Sequence, residues 1–333
     1  MIDGRQVLGK PMELGRRAAL GGALATAAGA ARAADWPEKP VTWIVPFAPG
    51  GLLDAFARPL AAHVGALLGQ SMLVDNRSGA GGTLGAAMVA RAPADGYTLL
   101  IGNTSHTYAP LIYPQAGFDI MRDFVPVSAF ARVQQVLVVN PAVLPVTDLR
   151  QFIDLARKKP GTIDIASAGI GTVSHVAIEL LEARTNVSLH HMPYRGSAPA
   201  LQDLLAGHVP AQFSSIAPLL DYLRSGRLRA LAVAGRRREP MLPDVPTMQE
   251  AGIPDFRAIT WVGLFAPRHT PTAILDRLHG AVQAALGSED VKRVWASQGA
   301  KVELESRAEF AAFVGREVTR WAPIAKATEI EMN

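Results

Sequence analysis

The stretch VPFAPGGLLDAFAR, residues 45–58, joins an apolar run to a helical pattern through a turn rich in proline and glycine. The apolar run VTWIVPF at residues 41–47 predicts a buried strand, and residues 52–69 predict a helix that ends at Gly69. Backbone N–H groups at the start of a helix have no partner inside it, and the helix dipole adds about half a positive charge there. The stretch therefore predicts a loop that holds an anion.

The same strand–turn–helix unit repeats along the chain. Further apolar runs that predict strands alternate with helical patterns and cover residues 71–74, 97–102, 162–168, 188–192 and 228–234. Helix starts are predicted at Thr147, at Thr270 with Pro271 in the first turn, and at Ser306, where Glu309 completes a capping box. Continuous apolar strands that alternate with helices predict an α/β fold with a largely parallel sheet.

Two longer apolar segments bracket the middle set of these units: RVQQVLVVNP at residues 132–141 and AITWVGLFAP at residues 258–267. If both run between two sheets, they form a double hinge. Residues 138–261 then form a domain inserted into a first domain, which is made of residues 34–137 and 262–333. Alternatively, both segments are ordinary core strands of a single large sheet. The apolar character of the segments fits either arrangement.

The N-terminal residues have the pattern of a secretory signal peptide. Small residues at positions 31 and 33 predict cleavage after Ala33, and an uncharged run before them follows four basic side chains: Arg5, Lys10, Arg16 and Arg17. The alternative is a buried alanine-rich helix, which the glycines of this segment would weaken. We therefore expect residues 1–33 to be removed on export to the periplasm. The arginine pair leaves Sec and twin-arginine export both open.

The composition excludes several classes of function. The 333 residues include no cysteine, which excludes disulfides and cysteine-based metal or nucleophile chemistry. Without residues 1–33 the chain keeps 28 of its 33 basic and 27 of its 29 acidic side chains, a net charge of +1. This balance gives no case for nucleic acid, and we interpret the basic run GRRRE at residues 235–239 as a solvated turn. No further apolar stretch reaches the length of a membrane span, so we expect no direct membrane insertion.

Three loops share one design, and the first of them lies in the opening stretch: FAPGG at residues 47–51, SAGIGTVSH at residues 167–175 and YRGSA at residues 194–198. Each places small residues before a predicted helix, where a carboxylate or phosphate can reach the backbone N–H groups. Together they predict a cleft that holds an anion. Asp54 is either a capping residue or linked to the ligand, and Arg195 either adds charge for the anion or is solvated.

Nucleotide binding and catalysis are both disfavoured. GAGGTLG at residues 79–85 departs from the spacing of the dinucleotide fingerprint, and the phosphate-binding pattern G-x-x-x-x-G-K-[ST] does not occur. Ser174 and His175 are neighbours on a helix and point in different directions, so they do not make a nucleophile and its base. His190 and His191 lie on opposite faces of a strand, which disfavours a shared metal. We predict no cofactor, no metal and no enzymatic activity.

Four long motifs resemble the Bug family of periplasmic solute-binding proteins, the receptors of tripartite tricarboxylate transporters. In chain order they are VPFAPGGLLDAFAR, VDNRSGAGGTLGAAMVARAPADGYTLL, HHMPYRGSAPALQDLLAGHVPAQF and LPDVPTMQEAGIPDF, and the similarity covers nearly all of the chain after residue 33. The resemblance implies a two-domain periplasmic-binding-protein fold (Venus flytrap, type II-like) with two crossover strands. It also implies that a ligand carboxylate is held mainly by backbone N–H groups, hydroxyls and ordered water.

Carried over residue by residue, the resemblance implies ligand-binding positions on both domains. On the first domain these are Phe47, Ala48, Gly50, Gly51 and Asp54, with Ser105 and His106 bordering the cleft. On the second domain they are Ser167, Ala168, Gly169, Thr172, His175, Tyr194, Arg195 and Gly196. Independently of the resemblance, Ser214 and Ser215 follow a short strand and offer hydroxyls to the cleft. Phe47 and Trp261 are either core residues or walls of the pocket.

The family commonly has a small or polar residue where this chain has Leu52 and Leu53. We therefore expect an aromatic or less hydroxylated acid as ligand rather than citrate. The sequence as a whole predicts a monomeric receptor that captures a small organic carboxylate and delivers it to membrane permease subunits. Two alternatives are a ligand-sensing receptor that docks on a membrane kinase, and a secreted hydrolase that uses Ser174, His175 or Asp54.

Overall fold

The computed structural model describes residues 36–113, 115–302 and 304–327. The signal peptide predicted at residues 1–33 lies outside the described residues. Across the part of the chain that is described, no helix combines the length and the apolar character that a membrane crossing requires.

Strands and helices alternate along most of the described chain. The strands are β1 (Val41–Val45), β2 (Met72–Asn76), β3 (Thr98–Asn103), β4 (Phe124–Val139), β5 (Asp164–Ser167), β6 (His190–Pro193), β7 (Ala211–Ser215), β8 (Arg229–Val233), β9 (Ile259–Pro267) and β10 (Lys301–Val302). The helices are α1 (Leu52–Leu68), α2 (Thr83–Ala90), α3 (Ala109–Ile112), α4 (Leu149–Lys158), α5 (Val173–Thr185), α6 (Ser197–Ala206), α7 (Leu220–Arg224), α8 (Thr272–Leu286), α9 (Glu289–Ser297) and α10 (Arg307–Ala327).

The strands form one hydrogen-bonded path in the order β2-β1-β3-β9-β4-β7-β5-β6, and β8 and β10 pair with β4 beside it. Pairing is parallel within β2-β1-β3 and within β7-β5-β6. We call the part of the chain built around β2-β1-β3 the first lobe and the part built around β7-β5-β6 the second lobe. Every pair that contains β4 or β9 is antiparallel. The prediction of a largely parallel sheet is therefore wrong at the centre, because β4 and β9 connect two parallel groups instead of following a crossover helix within one.

Strand β4 belongs to both lobes. Its residues up to Gln134 pair with β9, and from Gln135 onward they pair with β7 and β8. Ala258, directly before β9, accepts a hydrogen bond from the Gln135 N–H at 3.1 Å and donates one to Ala234 O at 2.9 Å. Both long apolar segments of the sequence thus pass from one lobe to the other at the same place, which we call the hinge (residues 134–135 and 258–259).

Each lobe buries its own apolar core. In the first lobe, the rings of Trp43 and Phe130 stack with centroids 5.9 Å apart. In the second, Phe213 and Phe256 stack at 6.2 Å. Burying one such side chain contributes about 1.5–3 kcal/mol, so these cores hold the strand ends rigidly in place. The loops of the candidate site emerge from those ends.

The lobes also touch away from the hinge, through the C-terminal helix α10. Trp321 on α10 is fully buried and packs on Tyr108 of the first lobe, with ring centroids 5.5 Å apart. The same apolar cluster includes Val176 of α5, in the second lobe. The C-terminal helix therefore packs against both lobes.

The predicted helix starts are correct to within two residues. Asp148 caps α4 by accepting a hydrogen bond from the Gln151 N–H at 2.8 Å, so the prediction of Thr147 as the cap is wrong by one position. Helix α8 begins at Thr272 with Pro271 as its N-cap, so the prediction of Thr270 as the cap is wrong by one position. The Thr270 hydroxyl instead donates to Pro267 O within the preceding turn. The capping box at α10 is confirmed: the Ser306 N–H donates to Glu309 Oε2 at 2.9 Å, and the Glu309 N–H donates to Ser306 Oγ at 3.2 Å.

Candidate functional site

A cavity of about 780 Å³ lies between the two lobes. Three helices of ten residues or more begin at its wall, and their N-cap residues Gly51 (α1), Thr172 (α5) and Gly196 (α6) all line it. Each helix start leaves N–H groups without intrahelical partners and carries the positive end of the helix dipole. Three such ends in one cavity favour the binding of negative charge.

The side chains of the lining add donors and little charge. Arg195 is the one Lys, Arg, His, Asp or Glu side chain among the described residues of the lining. Ser214 Oγ is buried, and none of the described residues gives it a hydrogen-bond partner. At the hinge, Gln135 Nε2 donates to Thr260 Oγ1 at 3.1 Å. The lining thus offers N–H and O–H donors to an anion, and within its described residues no carboxylate competes for them.

The Asp54 carboxylate holds the loop between β1 and α1. It accepts hydrogen bonds from the Gly50 N–H at 3.0 Å, from Arg58 Nε at 2.9 Å and from Asn76 Nδ2 at 3.0 Å. Burial acts to raise the pKa of Asp54, but the hydrogen bonds from Arg58, Gly50 and Asn76 outweigh it and hold the pKa below its ordinary value of 3.8. Asp54 is therefore committed to the loop, and the N–H groups in the first turn of α1 are left for the cavity.

The loop between β5 and α5 is held by two hydroxyls. Thr172 Oγ1 donates to Gly169 O at 2.7 Å, and Ser174 Oγ accepts from the Ala168 N–H at 3.0 Å. Gly169 has a φ of +124°, and a Cβ at this position would lie 2.8 Å from the carbonyl oxygen of Tyr194. Only glycine fits here without a shift of backbone, because both the conformation and the space exclude a side chain.

Two stacked histidines lie behind this loop. The ring centroids of His175 and His191 are 4.0 Å apart, and His175 Nδ1 accepts a hydrogen bond from the Gly171 N–H at 3.1 Å. Burial, together with the charges of His175 and His190, lowers the pKa of His191 to about 3. The His191 ring is therefore neutral at neutral pH, and its Nε2 shares a hydrogen bond of 2.6 Å with Ser167 Oγ. The stacked pair fixes the loop from behind.

The loop between β6 and α6 is tied to the one just described. The Tyr194 N–H donates to Ser167 O and the Gly196 N–H donates to Ala168 O, each at 3.1 Å. The Tyr194 hydroxyl donates to Asp203 at 2.6 Å, which anchors the side chain to α6. Gly196 has a φ of +122°, a conformation that favours glycine. The two loops therefore form one unit on the second lobe.

The cavity brings together most of the residues predicted for the site. Those that line it are Phe47, Ala48, Gly51, Ser105, Ala168, Gly169, Thr172, Tyr194, Arg195, Gly196, Ser214 and Ser215. The lining does not include the other predicted residues, which are the exposed Gly50 and the buried Asp54, His106, Ser167 and His175. They differ from the first group because each is engaged in holding a loop. Of the two aromatic residues, Phe47 lines the cavity, and Trp261 is a core residue with 2% exposure.

His106 shows how such a supporting residue works. Its ring is fully buried, and its Nδ1 accepts a hydrogen bond from the Asn103 N–H at 3.0 Å. Burial lowers the pKa of His106 to about 4, so the ring is neutral at neutral pH. Its edge contact with Phe47, at 6.3 Å between centroids, positions that ring at the cavity wall.

Sequence reasoning missed two parts of the lining. The first is the glycine-rich turn at residues 78–82, where Gly81 and Gly82 have φ values of +62° and +96°. The second is a set of polar residues around the hinge and the cavity mouth: Asn103, Tyr113, Gln135 and Thr260. Gln135 and Thr260 carried a usable signal, because each is a polar residue within a long apolar segment. Tyr113 carried none.

The geometry supports binding more than catalysis. Ser174 Oγ lies 3.0 Å from Thr172 Oγ1 and accepts from a backbone N–H, while His175 Nδ1 is occupied by Gly171, so Ser174 and His175 do not form a nucleophile–base pair. No group of three or more His, Asp or Glu side chains that could hold a metal is found in the described part of the chain.

Comparison with known proteins also supports binding more than catalysis. Residues 56–330 match the family described as "Tripartite tricarboxylate transporter family receptor". The structure of the periplasmic binding protein BugD is 33% identical in sequence and has a TM-score of 0.83, covering 90% of this chain and all of BugD.

Two further similar structures contain small acids. R. palustris Rpa4515 with adipate is 38% identical with a TM-score of 0.83, covering 88% of this chain and 98% of the other. MatC from Rhodopseudomonas palustris with bound malate is 36% identical with a TM-score of 0.81, covering 87% of this chain and 100% of the other. The predicted two-domain periplasmic-binding-protein fold is thereby confirmed. The chain belongs to the family of tripartite tricarboxylate transporter receptors, as its four long motifs had indicated.

Proposed function

We propose that this receptor captures a small organic carboxylate in the cavity between its lobes. The observation that carries the proposal is the convergence of three helix starts, at Gly51, Thr172 and Gly196, on a lining whose described residues include no carboxylate. Adipate and malate in the two R. palustris structures belong to the same chemical class. The ligand carboxylate accepts hydrogen bonds from the N–H groups at these helix starts.

The apolar part of the lining favours an acid with few hydroxyls. Leu52, Leu53, Ile170 and Phe213 line the cavity, and among the described lining residues Arg195 is the sole formal charge. An apolar ligand body would bury surface against these side chains, at about 25 cal/mol per Å². A ligand rich in hydroxyls would leave some of them without partners. We therefore propose an aliphatic or aromatic acid less hydroxylated than citrate.

Capture requires a movement of the lobes. We propose that residues 138–261 move as one domain against residues 34–137 and 262–333, bending at the hinge. The change of pairing partner on β4 between Gln134 and Gln135 lies three residues before position 138 and supports a boundary close to it. A ligand that contacts both lobes stabilises the closed form, because it gains its full set of contacts only there.

The receptor binds and delivers without chemical change to the ligand. We propose that it is a monomer in the periplasm, exported by a signal peptide at residues 1–33, and that it hands the acid to membrane permease subunits. Membership of the receptor family and the lack of a Ser–His pair in the site support this reading.

A thermal-shift panel tests the proposal. Adipate, benzoate, citrate and malate are each compared with an uncharged amide of the same skeleton. A ligand at 100 times its dissociation constant adds about 2.7 kcal/mol of stability, which a melting curve resolves. We expect at least one acid to raise the melting temperature and its amide to have no effect. An amide that stabilises as well as its acid, or a panel without any shift, would contradict the proposal.

A further inference from the structure

A second pocket, of about 620 Å³, shares no lining residue with the cavity between the lobes. Five arginines line it, and we call it the hinge arginine pocket: Arg132, Arg236, Arg257, Arg316 and Arg320. Two carboxylates of the lining, Glu305 and Glu317, offset part of this charge. The described ionisable side chains of the lining therefore carry a net charge of +3 in their ordinary forms.

The pocket lies on the reverse side of the hinge. Neighbouring residues of a strand point to opposite faces, and the pairing of β4 with β9 is regular from Arg132 to Gln134. Gln135 and Thr260 line the cavity between the lobes, so Arg132 faces away from it. Arg257 lies two residues before β9, next to Ala258 at the same crossing.

The remaining arginines come from both lobes. Arg316 and Arg320 lie on α10, and Arg320 Nη2 donates to the carbonyl oxygen of Arg257 at 2.7 Å. Arg236 belongs to the turn after β8 in the second lobe. This turn is held against the hinge, because Gln134 Nε2 donates to Glu239 at 2.7 Å and a Cβ at Gly235 would come within 2.0 Å of Gln134 Oε1.

The sequence GRRRE at residues 235–239 is therefore more than a solvated turn. Arg238 pairs with Glu250 at 2.9 Å, and Glu239 binds the hinge strand through Gln134. Arg236 lines the pocket, and Arg237 and Arg238 are exposed outside it.

The carboxylates of the pocket leave much of its charge uncompensated. Arg132 pairs with Glu305 at 2.6 Å, and Arg320 lies 3.5 Å from Glu317. Glu317 also accepts a hydrogen bond from the Trp321 indole at 3.0 Å, so it is shared. In contrast, Arg236, Arg257 and Arg316 form no ion pair with any residue that the structure describes.

Two donor atoms of the pocket are buried without a normal hydrogen bond among the described residues. Arg257 Nε has no partner there, and the ion pair of Arg320 Nη1 with Glu317 spans 3.5 Å. Burial, and then the like charges of Arg320, Arg236 and Arg132, lower the pKa of Arg257; burial likewise lowers that of Arg320. A buried donor without a partner is costly, and an anion that accepted from Arg257 Nε would remove that cost.

We propose that the hinge arginine pocket binds a small oxyanion with two or more negative charges. The guanidinium groups converge on a concave site with inward donors, which suits a compact phosphate-type or carboxylate-type ion. Guanidinium groups bind such oxygens through short, charge-assisted hydrogen bonds. This anion is distinct from the acid held between the lobes.

Titration calorimetry with pyrophosphate and, separately, citrate tests this site. The variant pair Arg236→Gln/Arg316→Gln removes two exposed arginines of the pocket without breaking an ion pair to a described residue. Its matched control, Arg150→Gln/Arg237→Gln, removes the same charge from two exposed positions outside the pocket. The Gly51→Asp variant blocks the cavity between the lobes, so binding there is separated from binding at the hinge.

We expect one anion per chain to bind to the native protein and to Gly51→Asp alike. The pocket variant should bind it at least about tenfold more weakly, and the control within about twofold. Which of pyrophosphate and citrate binds more tightly identifies the type of oxyanion. Equal loss in pocket and control variants, loss in Gly51→Asp, or no saturable binding of either anion would each overturn the proposal.

Discussion

The Tyr113 hydroxyl donates a hydrogen bond of 2.8 Å to the carbonyl oxygen of Ile170. Tyr113 follows α3 in the first lobe, Ile170 lies between β5 and α5 in the second, and both line the cavity. The ring also packs closely on glycines of both lobes, since a Cβ at Gly81 or at Gly171 would come within 2.9 Å of it. The bond therefore joins the lobes at the wall of the proposed binding site.

Replacing Tyr113 by phenylalanine tests whether this bond holds the cleft closed. A neutral hydrogen bond contributes about 1 kcal/mol, so the Tyr113→Phe variant should bind its acid about fivefold more weakly. The loss should appear as faster dissociation in stopped-flow measurements, because the bond forms only after the lobes meet. The melting temperature of the unliganded protein should change little.

The control for this variant is Tyr222→Phe, whose ring lies in the second lobe away from the cavity and stacks with Arg227. It should leave the dissociation rate unchanged. Dissociation from Tyr113→Phe at the native rate would show that the bond does not contribute to closure.

Gly169→Ala should weaken both folding and binding. The new Cβ meets the Tyr194 carbonyl oxygen at 2.8 Å and sits at a φ of +124°, which together cost about 1–3 kcal/mol of strain. The loops before α5 and α6 are hydrogen-bonded to each other, so a shift of one displaces the other. The affinity for the acid should therefore fall together with the stability. Gly161→Ala is the matched control: its φ is +69°, and its Cβ would meet nothing closer than Ser188 Oγ at 3.8 Å. We expect it to lose stability but keep its affinity; equal affinities in the two variants would contradict the role of Gly169.

Asp54→Asn should destabilise the protein in a pH-dependent way. The buried carboxylate accepts three hydrogen bonds, one from an arginine, and its loss at neutral pH should cost about 1–3 kcal/mol in the free energy of unfolding. Because the pKa of Asp54 is lower in the folded protein than the ordinary 3.8, the unfolded chain takes up this proton first as the pH falls. The stabilisation is therefore complete above pH 3.8 and is lost as the pH falls through the folded pKa.

Urea unfolding of the native protein and of Asp54→Asn, at neutral pH and below pH 3.8, measures this difference. The difference in the free energy of unfolding between the two proteins should be smaller at the lower pH. The exposed Asp221→Asn variant should show no such difference at either pH. A difference for Asp54→Asn that is constant with pH would mean that its charge does not stabilise the loop.

The strand–loop–helix units could be predicted from the sequence because their signals are local. The periodicity of residues 41–69 and the glycine at its end correspond to β1 and α1 with shifts of two residues or fewer at each end. Cap positions were less certain, since Thr147 and Asp148 are both good caps and the choice depends on which one reaches the Gln151 N–H.

Long-range relationships were harder to predict. The antiparallel direction of β4 and β9 depends on how two lobes connect, which periodicity does not encode. Tyr113 bonds to Ile170, a partner 57 residues away, and Tyr113 itself stands in no recognisable pattern. Likewise, the resemblance to the Bug family implied that Asp54 and His106 lie at the ligand, although the sequence also left a capping role open for Asp54. In the folded protein the Asp54 carboxylate accepts from Gly50, Arg58 and Asn76, and His106 Nδ1 accepts from the Asn103 N–H. Neither side chain lines the cavity.

The central claim is that backbone N–H groups at the start of α1 hold the ligand's negative charge. Gly51 caps this helix with an ordinary φ of −79°, and a Cβ there would touch only Ala48 O, at 3.4 Å. Aspartate and asparagine are both favourable caps at such a position, so Gly51→Asp and Gly51→Asn should fold at least as stably as the native protein. The two variants differ in charge alone.

Calorimetric titration of these two variants with the best acid of the thermal-shift panel is therefore the most direct test. Two like charges about 4 Å apart near a protein surface repel by about 4 kcal/mol, so Gly51→Asp should weaken binding by more than about 100-fold. Gly51→Asn should lose no more than about tenfold. Binding to Gly51→Asp as tight as to the native protein would show that the ligand's charge lies elsewhere.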